Sequence, residues 1–361
     1  METGLVGGVV SFVVPTLNRG VYVVRAVRSA LAAATGEWDV EVVVLDSKSD
    51  DGSWEALTAE FGADPRVKLL QNERGVGIVR SWIDGAEQVS GDYVTFLWSD
   101  DWVYPDFIAA LMPALQAGAP SSRGHGEIRD IDESVPSMRS AETPPRASLI
   151  SKADALLARF DLAGLGKEAV PVSTACALVT RVVWDEWVAS VAVVSTSNPL
   201  REVLVWRRAF GPDAYVYLLA HEATDDAVGF VDAYVAQFSA HPGSITLGTE
   251  EWTRHVGHWL TRGISLQSGR LLRGLSVDAR KAVYSAHLSR GLAFLTRRPP
   301  ESVSSAISPG ESRRWLRWEL RETWRVARQD IGGFPAIGGL AASVTSKAMR
   351  HARGVLGSRV K

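Results

Sequence analysis

Two adjacent carboxylates, Asp100 and Asp101, follow the run Tyr93-Val94-Thr95-Phe96-Leu97-Trp98-Ser99. The apolar run reads as a buried strand, and Pro105 beyond it suits the first turn of a helix. Paired carboxylates just past a strand suit a hard divalent cation, which takes oxygen ligands and shares them with phosphates. A turn whose aspartates cap the next helix accounts for them equally. A second polar cluster, Asp46-Ser47-Lys48-Ser49-Asp50-Asp51-Gly52-Ser53, also ends an apolar run. There Asp46 can accept a hydrogen bond from a base N–H, and Arg80 can donate to a base carbonyl or a phosphate. Taken singly, turn chemistry explains Asp46 and a surface helix charge explains Arg80.

The elements that must hold these groups alternate. Apolar, β-branched runs at 9–14, 40–45, 67–70 and 92–98 predict four strands. Helical spacing predicts helices over 19–34, 54–61 and 76–89 between them. Such alternation implies an α/β fold with a mostly parallel sheet and right-handed crossovers. Every polar cluster then falls at one edge, past the strand ends, where α/β sheets bind ligands. Gly75-Val76-Gly77 resembles part of a dinucleotide fingerprint, but Arg80 takes the third glycine position and the segment follows the third strand. A dehydrogenase is excluded on that ground, and no Walker loop is present.

The rest of the chain reads less sharply. Residues 119–148 are rich in Pro, Ser, Arg and Gly and predict a long loop. Helices are expected at 152–162 and 181–188, a strand at 172–180, and two short strands at 228–231 and 234–238. Beyond 248 the pattern is helical, including 277–297 and 312–329. His255 and His258 sit three apart beside Trp252 and Trp259, which reads as a packed helix. With 361 residues and a net charge of -2, the chain has no nucleic-acid footprint. The one cysteine, Cys176, excludes an internal disulfide and suits a core position. No apolar run reaches a membrane span and no export signal is visible, so a cytoplasmic enzyme is expected.

Four motifs, in order, resemble the family 2 glycosyltransferases of the GT-A fold. They are Val13-Val14-Pro15-Thr16-Leu17-Asn18-Arg19, Val44-Leu45-Asp46 through Ser53, Asn72-Glu73-Arg74-Gly75 with Arg80, and Phe96-Leu97-Trp98-Ser99-Asp100-Asp101 with Pro105-Asp106. The resemblance implies an inverting transferase using a nucleoside-diphosphate sugar, most simply a UDP-sugar, and Mn²⁺ or Mg²⁺. It puts Pro15, Thr16, Asn18 and Asp46 on the base, Arg80 on base or diphosphate, and Ser99 and Asp100 on the donor. The metal ligands it implies are Asp100, Asp101 and His241, the last from Ser239-Ala240-His241. Asp213, in Gly211-Pro212-Asp213, falls where the family carries the base that deprotonates the acceptor hydroxyl, although a first-turn aspartate needs no such role. Trp98 and Pro212 stand where many members carry an acid.

The expected organisation is a transferase domain over 1–248, with a donor half at 1–118, the loop at 119–148 and an acceptor half at 149–248. A helical region at 249–361 with a basic tail follows. The tail suits an anionic membrane surface and lipid-linked acceptors, though a disordered basic end explains it as well. The helices could pair two copies of the chain or wall the acceptor site. A sugar-nucleotide-binding module without transfer activity is the alternative, and a sugar nucleotidyltransferase a more distant one.

Overall fold

The computed structural model describes residues 7–73, 75–130, 145–160, 174–241 and 248–332. The first half is β1 (Val9–Thr16), α1 (Val21–Ala32), β2 (Asp39–Asp46), α2 (Ser53–Phe61), β3 (Val67–Gln71), α3 (Ile78–Ala86) and β4 (Tyr93–Phe96). The valine runs in β1 and β2 suit strands covered on both faces. Val10, Phe12, Val14, Val42 and Val44 pack in the core that α1 covers, and Val13 and Val43 in the core on the other face. β1 pairs parallel with β2 and β4, and β2 with β3. The register sets Thr16 beside Asp46, and Asp46 beside Gln71, at the carboxyl edge.

The middle contributes β5 (Trp102–Val103), α4 (Phe107–Gln116), β6 (Ser121–Asp130), β7 (Ser148–Ser151), α5 (Lys152–Arg159) and β8 (Ala177–Thr180). Next come α6 (Arg181–Ser195), α7 (Pro199–Arg201), a π-helical turn Glu202–Arg207, α8 (Pro212–Glu222) and β9 (Ala227–Ala240). All strands join one sheet in the order β3-β2-β1-β4-β8-β6-β9-β5, with β7 on β9. β8 runs antiparallel to β4 and β6, while β6 and β9 are parallel. The result is a mixed sheet in an α/β fold, parallel through β3-β2-β1-β4.

Several expectations change. The loop expected at 119–148 begins as strand β6, and residues 131–144 lie outside the described residues. Its polar, glycine-rich sequence hides a strand that β8 and β9 flank through backbone pairing. A Cβ at Gly124 would meet Ala233 O at 2.8 Å, so the close approach of β9 requires glycine there. The two strands expected at 228–231 and 234–238 are one, β9, whose register with β6 shifts around His125. β8 is shorter than expected because Thr174–Cys176 forms a 3-10 turn, with 172–173 outside the described residues. α5 ends at Arg159, and residues 161–162 of that expected helix are outside the described residues.

The helices α9 (Glu251–Gln267), α10 (Val277–Leu295), α11 (Glu301–Ser304) and α12 (Pro309–Ile331) complete the described chain. They pack on α5, α7, α8 and the π-helical turn, and α5 and α8 in turn meet strands of the sheet. One apolar cluster runs from Val13 and Phe96 through Trp184 and Leu218 to Trp259, Leu288 and Ala327. A buried ion pair at 2.5 Å joins Arg201 of α7 to Glu319 of α12. Residues 333–361, most of the expected basic tail, lie outside the described residues. Among the described residues no helix is long and apolar enough to cross a membrane.

Candidate functional site

The carboxyl edge of β1 and β2 is tied together by short polar contacts. Asn18 takes a left-handed φ of 52°, which asparagine tolerates better than most residues. Its N–H donates to Ser49 Oγ at 2.8 Å, and its Oδ1 accepts the Asp50 N–H at 3.0 Å. Asp46 is fully buried. Its carboxylate accepts from the Ser49 N–H and hydroxyl and from Gln71 Nε2 at 3.0 Å. Pro15 pairs with Leu45 one step earlier. The Thr16 hydroxyl is buried and finds no partner among the described residues. Arg80 lies half-exposed on α3, paired with Asp84 at 2.5 Å, and Asn72 donates to the same aspartate at 2.9 Å. Ser81 binds Ser47 Oγ at 3.0 Å, fastening α3 to the Asp46 turn.

Beyond β4 the chain turns sharply at Ser99, which is buried. Asp100 Oδ2 lies 2.7 Å from His241 Nε2, a residue 141 positions away, and 3.5 Å from Arg19 Nε. The Asp100 carbonyl accepts from Arg25 Nη2 at 2.9 Å and from Ser239 Oγ. Arg25 is itself held over the Trp102 ring, 4.0 Å from its centroid. Asp101 departs from the expectation that it would join Asp100 as a metal ligand. It is turned inward, and its Oδ1 accepts the Ser239 N–H at 2.8 Å. Burial, with the adjacent Asp100 charge, pushes its carboxyl well above the usual range. Asp101 therefore latches β9 to the turn.

Asp100 and His241 place one carboxylate oxygen and one imidazole nitrogen side by side. That pair fits a cation taking its other ligands from a diphosphate and water, and imidazole favours Mn²⁺ over Mg²⁺. No cluster of three or more His, Cys, Asp or Glu able to hold a metal occurs among the described residues.

Asp213 stands in the first turn of α8. Gly211 caps that helix with φ 102°, and Pro212 starts it. Trp187 Nε1 donates to the Pro212 carbonyl at 2.7 Å, and Arg159 Nη2 to the Ala214 carbonyl at 3.2 Å. Burial pushes the Asp213 carboxyl up, opposed by the Ala214 N–H and the Arg159 charge. Among the described residues no hydrogen bond or ion pair links Asp213 to Asp100 or His241. Sequence reading missed Arg25, Ser239 and Arg159. Nothing in their spacing marks them, since each acts on backbone that only the fold brings near.

Residues 11–149 match the model for glycosyl transferase family 2. The chain is 32% identical over 107 residues to glycosyltransferase GlyG of Streptococcus pneumoniae, covering 30% of this chain and 35% of GlyG. It is 29% identical over 151 residues to the GalNAc(5)-diNAcBac-PP-undecaprenol beta-1,3-glucosyltransferase of Campylobacter jejuni, covering 42% and 48%. Thus the chain spans half or less of the length of the curated relatives it matches. The crystal structure of S. aureus TarS 1-349 in complex with UDP-GlcNAc aligns over 88% of this chain and 89% of that one. Its TM-score is 0.50 at 14% identity, a likeness of fold.

Proposed function

We propose, from the match of residues 11–149 to the glycosyl transferase family 2 model, an inverting, metal-assisted transfer from a UDP-sugar to an acceptor hydroxyl. The observation that carries this reading is the Asp100–His241 pair, closed at 2.7 Å across 141 residues at the carboxyl edge of the sheet. The choice of UDP follows the TarS fold, which binds UDP-GlcNAc.

In this reading Pro15, Thr16, Asn18 and Asp46 hold the base. The Thr16 hydroxyl is unpartnered among the described residues, and a carboxylate has acceptor sites beyond those Ser49 and Gln71 use at Asp46. Ser99 shapes the turn, and Arg19 and Arg80 supply positive charge for the diphosphate. A bound Mn²⁺ or Mg²⁺, held by Asp100 and His241, would neutralise charge on the leaving diphosphate. Asp213 takes the acceptor proton as the hydroxyl oxygen bonds to the anomeric carbon. The bond from that carbon to the diphosphate breaks, its electron pair leaves with the diphosphate, and the anomeric centre inverts.

The test is nucleotide release from UDP-, GDP- and dTDP-sugars, with and without each metal, for wild type, Asp100→Ala and Asp213→Asn. Metal-dependent release from one donor is expected, lost in Asp100→Ala. Asp213→Asn should lower transfer by about 10²–10⁴-fold while still binding UDP. No release together with no metal-assisted UDP binding by calorimetry sinks the reading. One observation favours a module that binds without transferring. Trp98, at the first acid position of the metal motif, is stacked on Phe96 at 5.5 Å and serves the core. Such a module would bind UDP-sugars and leave every acceptor unmodified.

A further inference from the structure

Two arginines in the acceptor half lack the anion their burial demands. Arg123 on β6 is 3% exposed and Arg159 on α5 is 5% exposed. All three guanidinium nitrogens of Arg123, and Nε and Nη1 of Arg159, are sealed from solvent with no acceptor among the described residues. The Arg123 guanidinium lies 5.9 Å from the Phe230 ring centroid and that of Arg159 5.3 Å from Tyr217. A buried charge without hydrogen-bonding counter-groups is among the most unfavourable features a fold can carry.

Their surroundings deepen the imbalance. The two guanidiniums repel each other, and burial with that repulsion brings Arg159 down to about 10. Among the described residues the largest influences on Arg123 include no carboxylate, and those on Arg159 include one, Asp213. His221 and His258 are held uncharged by burial, and Arg159 presses both further in that direction. The same Arg159 donates to the Ala214 carbonyl in the first turn of α8, one residue past Asp213. That turn also presents the positive end of the α8 dipole. Paired guanidinium forks match the geometry of phosphate and carboxylate oxygens.

We propose that Arg123 and Arg159 form an anion subsite beside Asp213, so that the acceptor carries a phosphate or carboxylate near the hydroxyl that receives the sugar. This rests on Asp213 as the base. The donor diphosphate is assigned to the Asp100–His241 edge, which leaves the arginine pair for the other substrate.

The test titrates inorganic phosphate, glycerol phosphate and glycerol into the full chain by calorimetry. Wild type, Arg123→Gln, Arg159→Gln, Arg159→Lys and Asp213→Asn are compared, with UDP binding as the check on folding. Saturable phosphate binding is expected in wild type and at least about tenfold weaker in either glutamine variant, with UDP binding unchanged. The lysine variant, which keeps the charge, should fall between. Wild-type transfer to a phosphate-bearing acceptor should exceed transfer to its neutral analogue at least about tenfold in kcat/KM. That comparison decides the matter if the glutamine variants do not fold. No phosphate binding, equal binding in the glutamine variants, or equal transfer to the two acceptors overturns the proposal. If Asp213→Asn transfers normally, the base reading fails, and phosphate binding alone then judges the subsite.

Discussion

At the scale of the residue, the two carboxylates proposed as metal ligand and base live in opposite settings. Asp100 is met by Arg19 and His241, whereas Asp213 is dominated by burial that disfavours its charge. Only ionised Asp213 can accept a proton, and its pKa lies above the ordinary value near 3.9. The rate should therefore fall on acidification at a higher pH than an unperturbed aspartate dictates. Arg159→Gln removes an opposing positive charge and should move the acid limb of kcat/KM further up, while the reverse shift would refute the assignment. Arg25→Met should weaken metal-assisted UDP binding about tenfold by freeing the Asp100 carbonyl, measured by calorimetry. Asp100, Asp46 and His241 stand out in the sequence as candidates because acids and imidazole past strand ends suggest chemistry. Arg25, Arg123 and Arg159 do not, because a guanidinium reads as surface until the fold buries it. Asp101 misled for a related reason, since adjacency in sequence says nothing about which of two carboxylates turns inward.

At the scale of the element, the parallel strands could be read from valine runs and the switch of period between strand and helix. β6 could not, because Ser121-Ser122-Arg123-Gly124-His125-Gly126 carries little apolar signal, and neighbouring strands supply its burial. β9 was split in expectation because its register shifts near His125 break the alternation. The placement of Asp213 depends on one glycine. Gly211 has φ 102°, and a Cβ there would lie 2.2 Å from Thr261 Oγ1 on α9. Gly211→Ala should destabilise the protein by about 1–3 kcal/mol or more, through strain and overpacking. Urea denaturation would register the loss, and transfer should drop with it as the first turn of α8 shifts. Unchanged stability would mean that α8 and α9 are not pressed together there.

At the scale of the whole molecule, the C-terminal helices and the sheet share one core. Arg201 and Glu319 are both nearly sealed from solvent, and Asn198 and Gln267 also donate to Glu319. Glu319→Ala leaves Arg201 buried without its partner and should cost about 3–5 kcal/mol by chemical denaturation. His221 and His287 are buried uncharged, their imidazoles pushed down by burial, His221 to about 3. The unfolded chain gains these protons near pH 6.5 and the folded chain does not. Their contribution is thus complete above about pH 6.5 and is lost progressively as pH falls toward the folded value. Each adds a slope of up to about 1.4 kcal/mol per pH unit, so melting temperature should decline from pH 7 to 5. Replacing His287 with glutamine should flatten that decline. The shared core has a consequence for synthesis as well. A ribosome finishes β1 to β4, whose Val13 and Val43 face α3 covers, long before Trp184 and Trp187 of α6 exist to pack on Phe96. The apolar sides of α6 and α8 wait longer still, for α9, α10 and α12, so this chain should lean on holdase chaperones while it is being translated.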